Sequence, residues 1–186
     1  MAAQREVEAK YRLRDPDRFV AALSRLGFVE VRTERHRDRY FRHPCRDFAA
    51  TDEALRLRID QTAGTSVFTY KGPRSDGPVK SREEIELPVP ESIATLVERL
   101  GFVAVSDVRK TRVEYRAEGP TTATVDRVDG VGAYAEIECV VPAGGDEAAA
   151  TQTVLQTAAA LGLDDRDREP RSYLELVLER AGSRSE

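Results

Sequence analysis

The 186-residue chain is 33% charged and 40% hydrophobic, with a net charge of −4. That acidic balance argues against a general nucleic-acid binder, which would carry a basic excess, and no run approaches the ~18 apolar residues of a membrane span. Cys45 and Cys139 are far apart and in no C-x-x-C pair, which speaks against a disulfide framework or a cysteine zinc site.

The opening MAAQREVEAKYRL turns charged at once and has no apolar signal core, so a cytoplasmic protein without membrane partners is expected. Within it Glu6, Glu8 and Lys10 alternate with Val7, Ala9 and Tyr11, the period of a strand with one charged and one apolar face. A helical pattern follows from Asp15-Pro16 to Gly27, acidic at its start and closed by glycine. Strand-like runs come next at about 28–42, 54–62 and 66–72, with the break at Gly64 reading as a turn. Gly and Pro residues around 72–78 read as a loop. A second charged strand carries Lys80, Arg82, Glu84 and Glu86. A second helix runs from Pro90 through Ile93, Leu96, Val97 and Leu100 to Gly101. Strands are expected again at about 102–117, 121–128 and 133–141, with a turn at Asp129-Gly130. An Ala-rich helix at about 146–162 and a short amphipathic helix at about 170–181 complete the chain.

These elements repeat. Leu26-Gly27-Phe28-Val29 recurs as Leu100-Gly101-Phe102-Val103, an offset of 74 residues, and Val31 and Arg35 match Val105 and Arg109. Each half, about 1–72 and 79–141, reads β-α-β-β-β. The expected fold is α+β: one domain over 1–181, with eight mostly antiparallel strands closed into a barrel. The helices, including those at about 146–181, lie outside it.

If the helices cover the apolar strand faces, the charged faces point inward. The interior would then collect Lys10, Arg56, Arg58, Lys71, Arg82, Lys110 and Arg112 with Glu6, Glu8, Glu84, Asp126, Glu136 and Glu138. Isolated buried charges are costly, so such an interior must be wet, mutually paired or filled by a charged ligand. The mixture fits a triphosphate: arginines and lysines clamp its oxygens while carboxylates hold bridging cations. With only two histidines, His36 and His43, any metal would rest on carboxylates, which favours hard ions such as Mg²⁺ or Mn²⁺. The histidines themselves read as polar decoration, although His36 shares a strand face with Asp38 and Tyr40.

Glu6-Val7-Glu8-Ala9-Lys10 resembles the E-x-E-x-K signature of the CYTH superfamily, the triphosphate tunnel metalloenzymes. Leu55-Arg56-Leu57-Arg58, Tyr70-Lys71-Gly72, Lys110-Thr111-Arg112, Val125-Asp126 and Glu136-Ile137-Glu138 follow in that family's order. Glu169-Pro170-Arg171-Ser172-Tyr173 is similar to the tail of its class IV adenylyl cyclase branch. The resemblance implies that Glu6, Glu8, Asp126, Glu136 and Glu138 bind Mg²⁺ or Mn²⁺. It implies a phosphate clamp of Lys10, Arg56, Arg58, Lys71, Arg82, Lys110 and Arg112, with catalytic roles for Lys10, Arg58, Lys110 and Asp126. Lys10 and Arg82 could instead pair with Glu84 or Glu86. Arg171 and Tyr173 either close a tunnel mouth or touch the base, or Tyr173 only anchors the terminal helix. The implied reaction is ATP to 3′,5′-cyclic AMP and pyrophosphate. The alternatives are hydrolysis of inorganic or thiamine triphosphate and, without turnover, a triphosphate-binding module. A homodimer is compatible with the resemblance.

Overall fold

A computed structural model describes residues 4–73, 79–142 and 144–183, so most of the expected loop at 72–78 lies outside the described residues. In chain order the elements are β1 (Gln4–Leu13), α1 (Pro16–Arg25), β2 (Val29–Arg42), β3 (Ala54–Asp60), β4 (Thr65–Lys71), β5 (Lys80–Pro88), α2 (Ile93–Arg99), β6 (Val103–Arg116), β7 (Thr121–Val128), β8 (Gly132–Val141), α3 (Glu147–Ala160) and α4 (Tyr173–Gly182). Local chemistry sets the helix ends. The Asp15 carboxylate accepts from the Arg18 backbone N–H at the start of α1, and Asp146 does the same for Ala149 at α3. Gly27 and Gly101 follow the first two helices at φ +80° and +95°, values a side chain disfavours.

The strands close into a barrel in the order β1-β5-β4-β3-β2-β6-β7-β8, with β8 returning to β1. Every pairing is antiparallel. The internal repeat is visible in the register. Val7 lies opposite Ser81 across β1 and β5, and His36 lies opposite Lys110 across β2 and β6. In both pairs the partner is the repeat-equivalent residue, 74 positions on (81 against 7, 110 against 36). The two halves are therefore related by a pseudo-two-fold passing through both pairs. Equivalent positions carry opposite charge: Glu6 with Lys80, Glu8 with Arg82, Lys10 with Glu84, Asp38 with Arg112. The register then sets an acid of one half against a base of the other, Glu8 opposite Lys80 and Glu6 opposite Arg82.

Apolar residues of alternate parity face outward and are covered. Val7, Ala135 and Ile137 pack with Phe19, Ala22 and Leu23 of α1 and with Ala150, Val154 and Ala158 of α3. Cys139 belongs to the same core. Val108, Val128 and Tyr134 are different: they share the inward parity of Lys110, Asp126 and Glu136, and they meet Tyr173 and Leu176 of α4 at one end of the bore. Leu55, Leu57 and Ile59 meet Val97 of α2. That last helix is shorter than its sequence pattern. It spans seven residues, and Leu96 and Leu100 stay 55% and 67% exposed. One short face reaches the sheet, and Val97 and Ile93 occupy it. Among the described residues no helix is long and apolar enough to cross a membrane.

Candidate active site: a charged tunnel

With the apolar faces covered, the charged faces line the bore of the barrel, as strand alternation requires. The bore is a cavity of about 1210 Å³. Into it project Glu6, Glu8 and Lys10 from β1, Arg56 and Arg58 from β3, and Lys71 from β4. Arg82 and Glu84 come from β5, Lys110 and Arg112 from β6, Glu136 and Glu138 from β8. Asp126 on β7 does not line the cavity; it is fully buried behind the two β6 cations.

Two buried aspartates hold the basic side. Asp38 receives both arms of Arg58, at 2.8 and 2.7 Å, and lies 3.5 Å from Arg56. Asp126 receives Lys110 at 2.8 Å and Arg112 at 2.7 and 2.6 Å. Arg112 also donates to Glu136. Burial raises the pKa of both aspartates, but Arg58 and Arg56 on one, and Arg112 and Lys110 on the other, hold them well below the carboxylate range. Burial, with Arg112 alongside, lowers the Lys110 ammonium to about 8. Forked donors on a fixed carboxylate are pre-oriented, so the guanidiniums of Arg58 and Arg112 stand in place before any anion arrives.

The opposite wall is acidic. Glu6, Glu84 and Glu138 share hydrogen bonds, and Lys71 donates to Glu6 and Glu84. Burial pushes Glu84 up to about 8, against the pull of Lys71, and the Glu6 charge adds to the rise. Burial and Glu6 also raise Glu138 well above the usual range. Glu6 itself resists burial: Lys71 and the hydrogen bonds from Glu84 and Glu138 keep it ionised. Protons here screen carboxylates that crowd one another. A divalent cation does the same work, and an all-oxygen donor set suits Mg²⁺ or Mn²⁺. The residues present therefore fit a hard metal ion.

The last helix closes one mouth. Lys10 donates to the Arg171 carbonyl, and its ammonium lies 4.2 Å from the Tyr173 ring centroid. Lys110 lies 4.9 Å from the same ring. Tyr173 thus touches two tunnel lysines while its ring packs on Tyr134 at 5.4 Å, so it both closes the mouth and anchors α4. Arg171 turns away, to Glu169 and Glu179. Arg82 stays in the tunnel, 3.7 Å from Glu84 and 3.9 Å from Glu8.

Sequence reasoning missed Asp38 as a site residue, and it counted Glu84 among the interior acids but left it out of the metal-binding set. The inward parity of its strand marks Glu84, whereas β2 is charged on both faces and its alternation shows no contrast at Asp38.

A model of the CYTH domain matches residues 4–173. A protein of Methanocaldococcus jannaschii, whose name proposes an adenylate cyclase, is 35% identical over 92% of this chain and 97% of its own. Adenylate cyclase CyaB of Aeromonas hydrophila is 33% identical over 90% of this chain and 86% of its own. The structure of the PH1819 protein from Pyrococcus horikoshii superposes with a TM-score of 0.82 at 39% identity, covering 94% of this chain and 99% of that one.

Proposed function

Since the chain belongs to the CYTH domain family, we propose that it is a divalent-metal-dependent adenylate cyclase converting ATP to 3′,5′-cyclic AMP and pyrophosphate. The observation that carries the reading is the division of one tunnel into a pre-oriented basic side and a crowded acidic wall. The cyclase names of relatives at 33–35% identity support ATP as the triphosphate.

Glu6, Glu8, Glu136 and Glu138, with Glu84 beside them, would hold Mg²⁺ or Mn²⁺. Bound there, the metal supplies charge neutralisation at phosphate oxygens and a lowered pKa for the ribose 3′-hydroxyl. Arg56, Arg58, Lys71, Arg82 and Arg112 clamp the β and γ phosphates, and Lys10 and Lys110 face the α phosphate. The 3′-hydroxyl releases its proton to water as its oxygen bonds to the α phosphorus, the bond from that phosphorus to the bridging oxygen breaks, and pyrophosphate leaves; the fixed cations stabilise the charge gathering on the leaving group. No side-chain nucleophile is needed. Asp126 serves as a positioning residue for Lys110 and Arg112, because both of its oxygens are engaged by them. The test is product identification from ATP labelled at the α phosphate, with Mn²⁺. Label in cyclic AMP supports the cyclase; labelled ADP or AMP with no cyclic product moves the assignment to a triphosphatase using the same tunnel.

A further inference from the structure

Away from the acidic wall, Glu34 and His36 on β2 meet Asp60 at the end of β3. One donor atom from each lies within 4.8 Å of the other two. His36 and Asp60 are directly opposed in the β2–β3 register, and Glu34 is on the same face two residues earlier. His36 is 3% exposed; its Nε2 lies 3.2 Å from a Glu34 oxygen, and its Nδ1 has no hydrogen-bond partner among the described residues. Asp60 is buried too. One of its oxygens accepts from the Thr62 backbone N–H at 2.8 Å, and among the described residues no cationic side chain forms an ion pair with it.

A buried imidazole nitrogen without a partner and a buried carboxylate without a counter-charge each carry a desolvation cost. A cation held between Glu34, His36 and Asp60 would supply the counter-charge that Asp60 lacks. We propose that Glu34, His36 and Asp60 form a transition-metal site in the tunnel wall, taking Mn²⁺ in preference to Mg²⁺ and separate from the all-carboxylate set.

The donor chemistry sets the preference. An imidazole nitrogen suits first-row transition metals, whereas Mg²⁺ requires oxygen ligands and keeps its waters. Glu34 lines the cavity, so the remaining coordination positions open to it. Three cations stand nearby, and each is already engaged: Arg58 on Asp38, Lys110 on Asp126, Arg112 on Asp126 and Glu136. Thr62 holds one oxygen of Asp60 in place and leaves the other for the metal. A cation here would add positive charge beside Lys110, the register neighbour of His36, on the side of the tunnel that holds the clamp.

The experiment is electron spin-echo envelope modulation on tag-free, full-length protein loaded with Mn²⁺. Wild type should show nitrogen modulation superimposed on the signal of oxygen-ligated manganese. His36→Gln should lose the nitrogen component and keep the oxygen-ligated signal. His43, the chain's other histidine, stacks on Phe48 and Phe102, so His43→Gln should leave the modulation intact. Absence of nitrogen modulation in saturated wild type, a measurement that needs no variant, overturns the proposal. So does modulation that survives His36→Gln. Either failure leaves the cyclase reading standing, since that reading rests on carboxylates alone.

Discussion

Asp38 of β2 grips Arg58 of β3 through two parallel hydrogen bonds, 2.8 Å from Nε and 2.7 Å from Nη2, at a point where the carboxylate is 1% exposed. The pair makes Arg58 a fixed fork instead of a mobile side chain. Asp38→Ala should lower stability by about 3–5 kcal/mol, the usual cost of stranding a buried charge, measured by urea denaturation. It should also reduce kcat/KM, because Arg56 and Arg58 lose their common anchor.

Arg58→Ala should lower kcat/KM roughly 10- to 150-fold, the equivalent of a charge-assisted contact of about 1.5–3 kcal/mol. Combined with Asp38→Ala the losses should not add, since both changes disable one unit. Steady-state kinetics on the two single variants and the double variant checks this. Additive losses would mean that Asp38 and Arg58 act independently.

Glu8→Ala should abolish turnover and weaken Mn²⁺ binding together, whereas Asp126→Asn should lower kcat/KM and leave Mn²⁺ affinity intact. The contrast separates a carboxylate on the acidic wall from one whose oxygens are engaged by Lys110 and Arg112. Calorimetric Mn²⁺ titration of both variants reads it. Loss of metal affinity in Asp126→Asn would return that residue to the metal set.

The pH dependence has two opposite arms. Glu84 rises from 4.5 to about 8 on folding, so the folded protein keeps a proton that the unfolded chain releases. Its contribution is full below about pH 4.5 and is lost as pH climbs through about 8. Glu138 acts in the same direction. Asp38 and Asp126 act oppositely: their pKa values fall on folding, so their contribution is present above the ordinary aspartate range and disappears in acid. Metal-free protein should therefore lose thermal stability as pH rises from about 4.5 to about 8, and Mg²⁺ should remove that loss. Metal binding near pH 7 should release protons, seen as a dependence of the calorimetric heat on the buffer's ionisation enthalpy.

Much of this was legible in the sequence. Alternation in Glu6–Leu13 and Leu55–Asp60 and the 74-residue offset imply strands, a doubling and a charged interior. Asp38 was hidden because β2 carries Arg37 and Arg39 on its outer face beside His36 and Asp38 within, so the contrast between faces vanishes. Leu96 and Leu100 fit a helical stripe, but a seven-residue helix has no second face to bury. Parity points Asp126 inward, yet only its register opposite Arg112, and Lys110 two residues before that partner, shows that its oxygens are already taken. The proton held by Glu84 depends on how closely Glu6 approaches it, which no linear pattern encodes.

In the proposed function, carboxylates and cations of the bore grip one triphosphate through divalent ions. Crystals soaked with Mn²⁺ and an ATP analogue that cannot cyclise test it most directly. An anomalous manganese peak is expected between Glu6, Glu8 and Glu136, with the analogue's phosphates on Arg58, Lys71 and Arg112. An analogue lodged outside the barrel, or phosphates in the bore with no manganese against those glutamates, would contradict it.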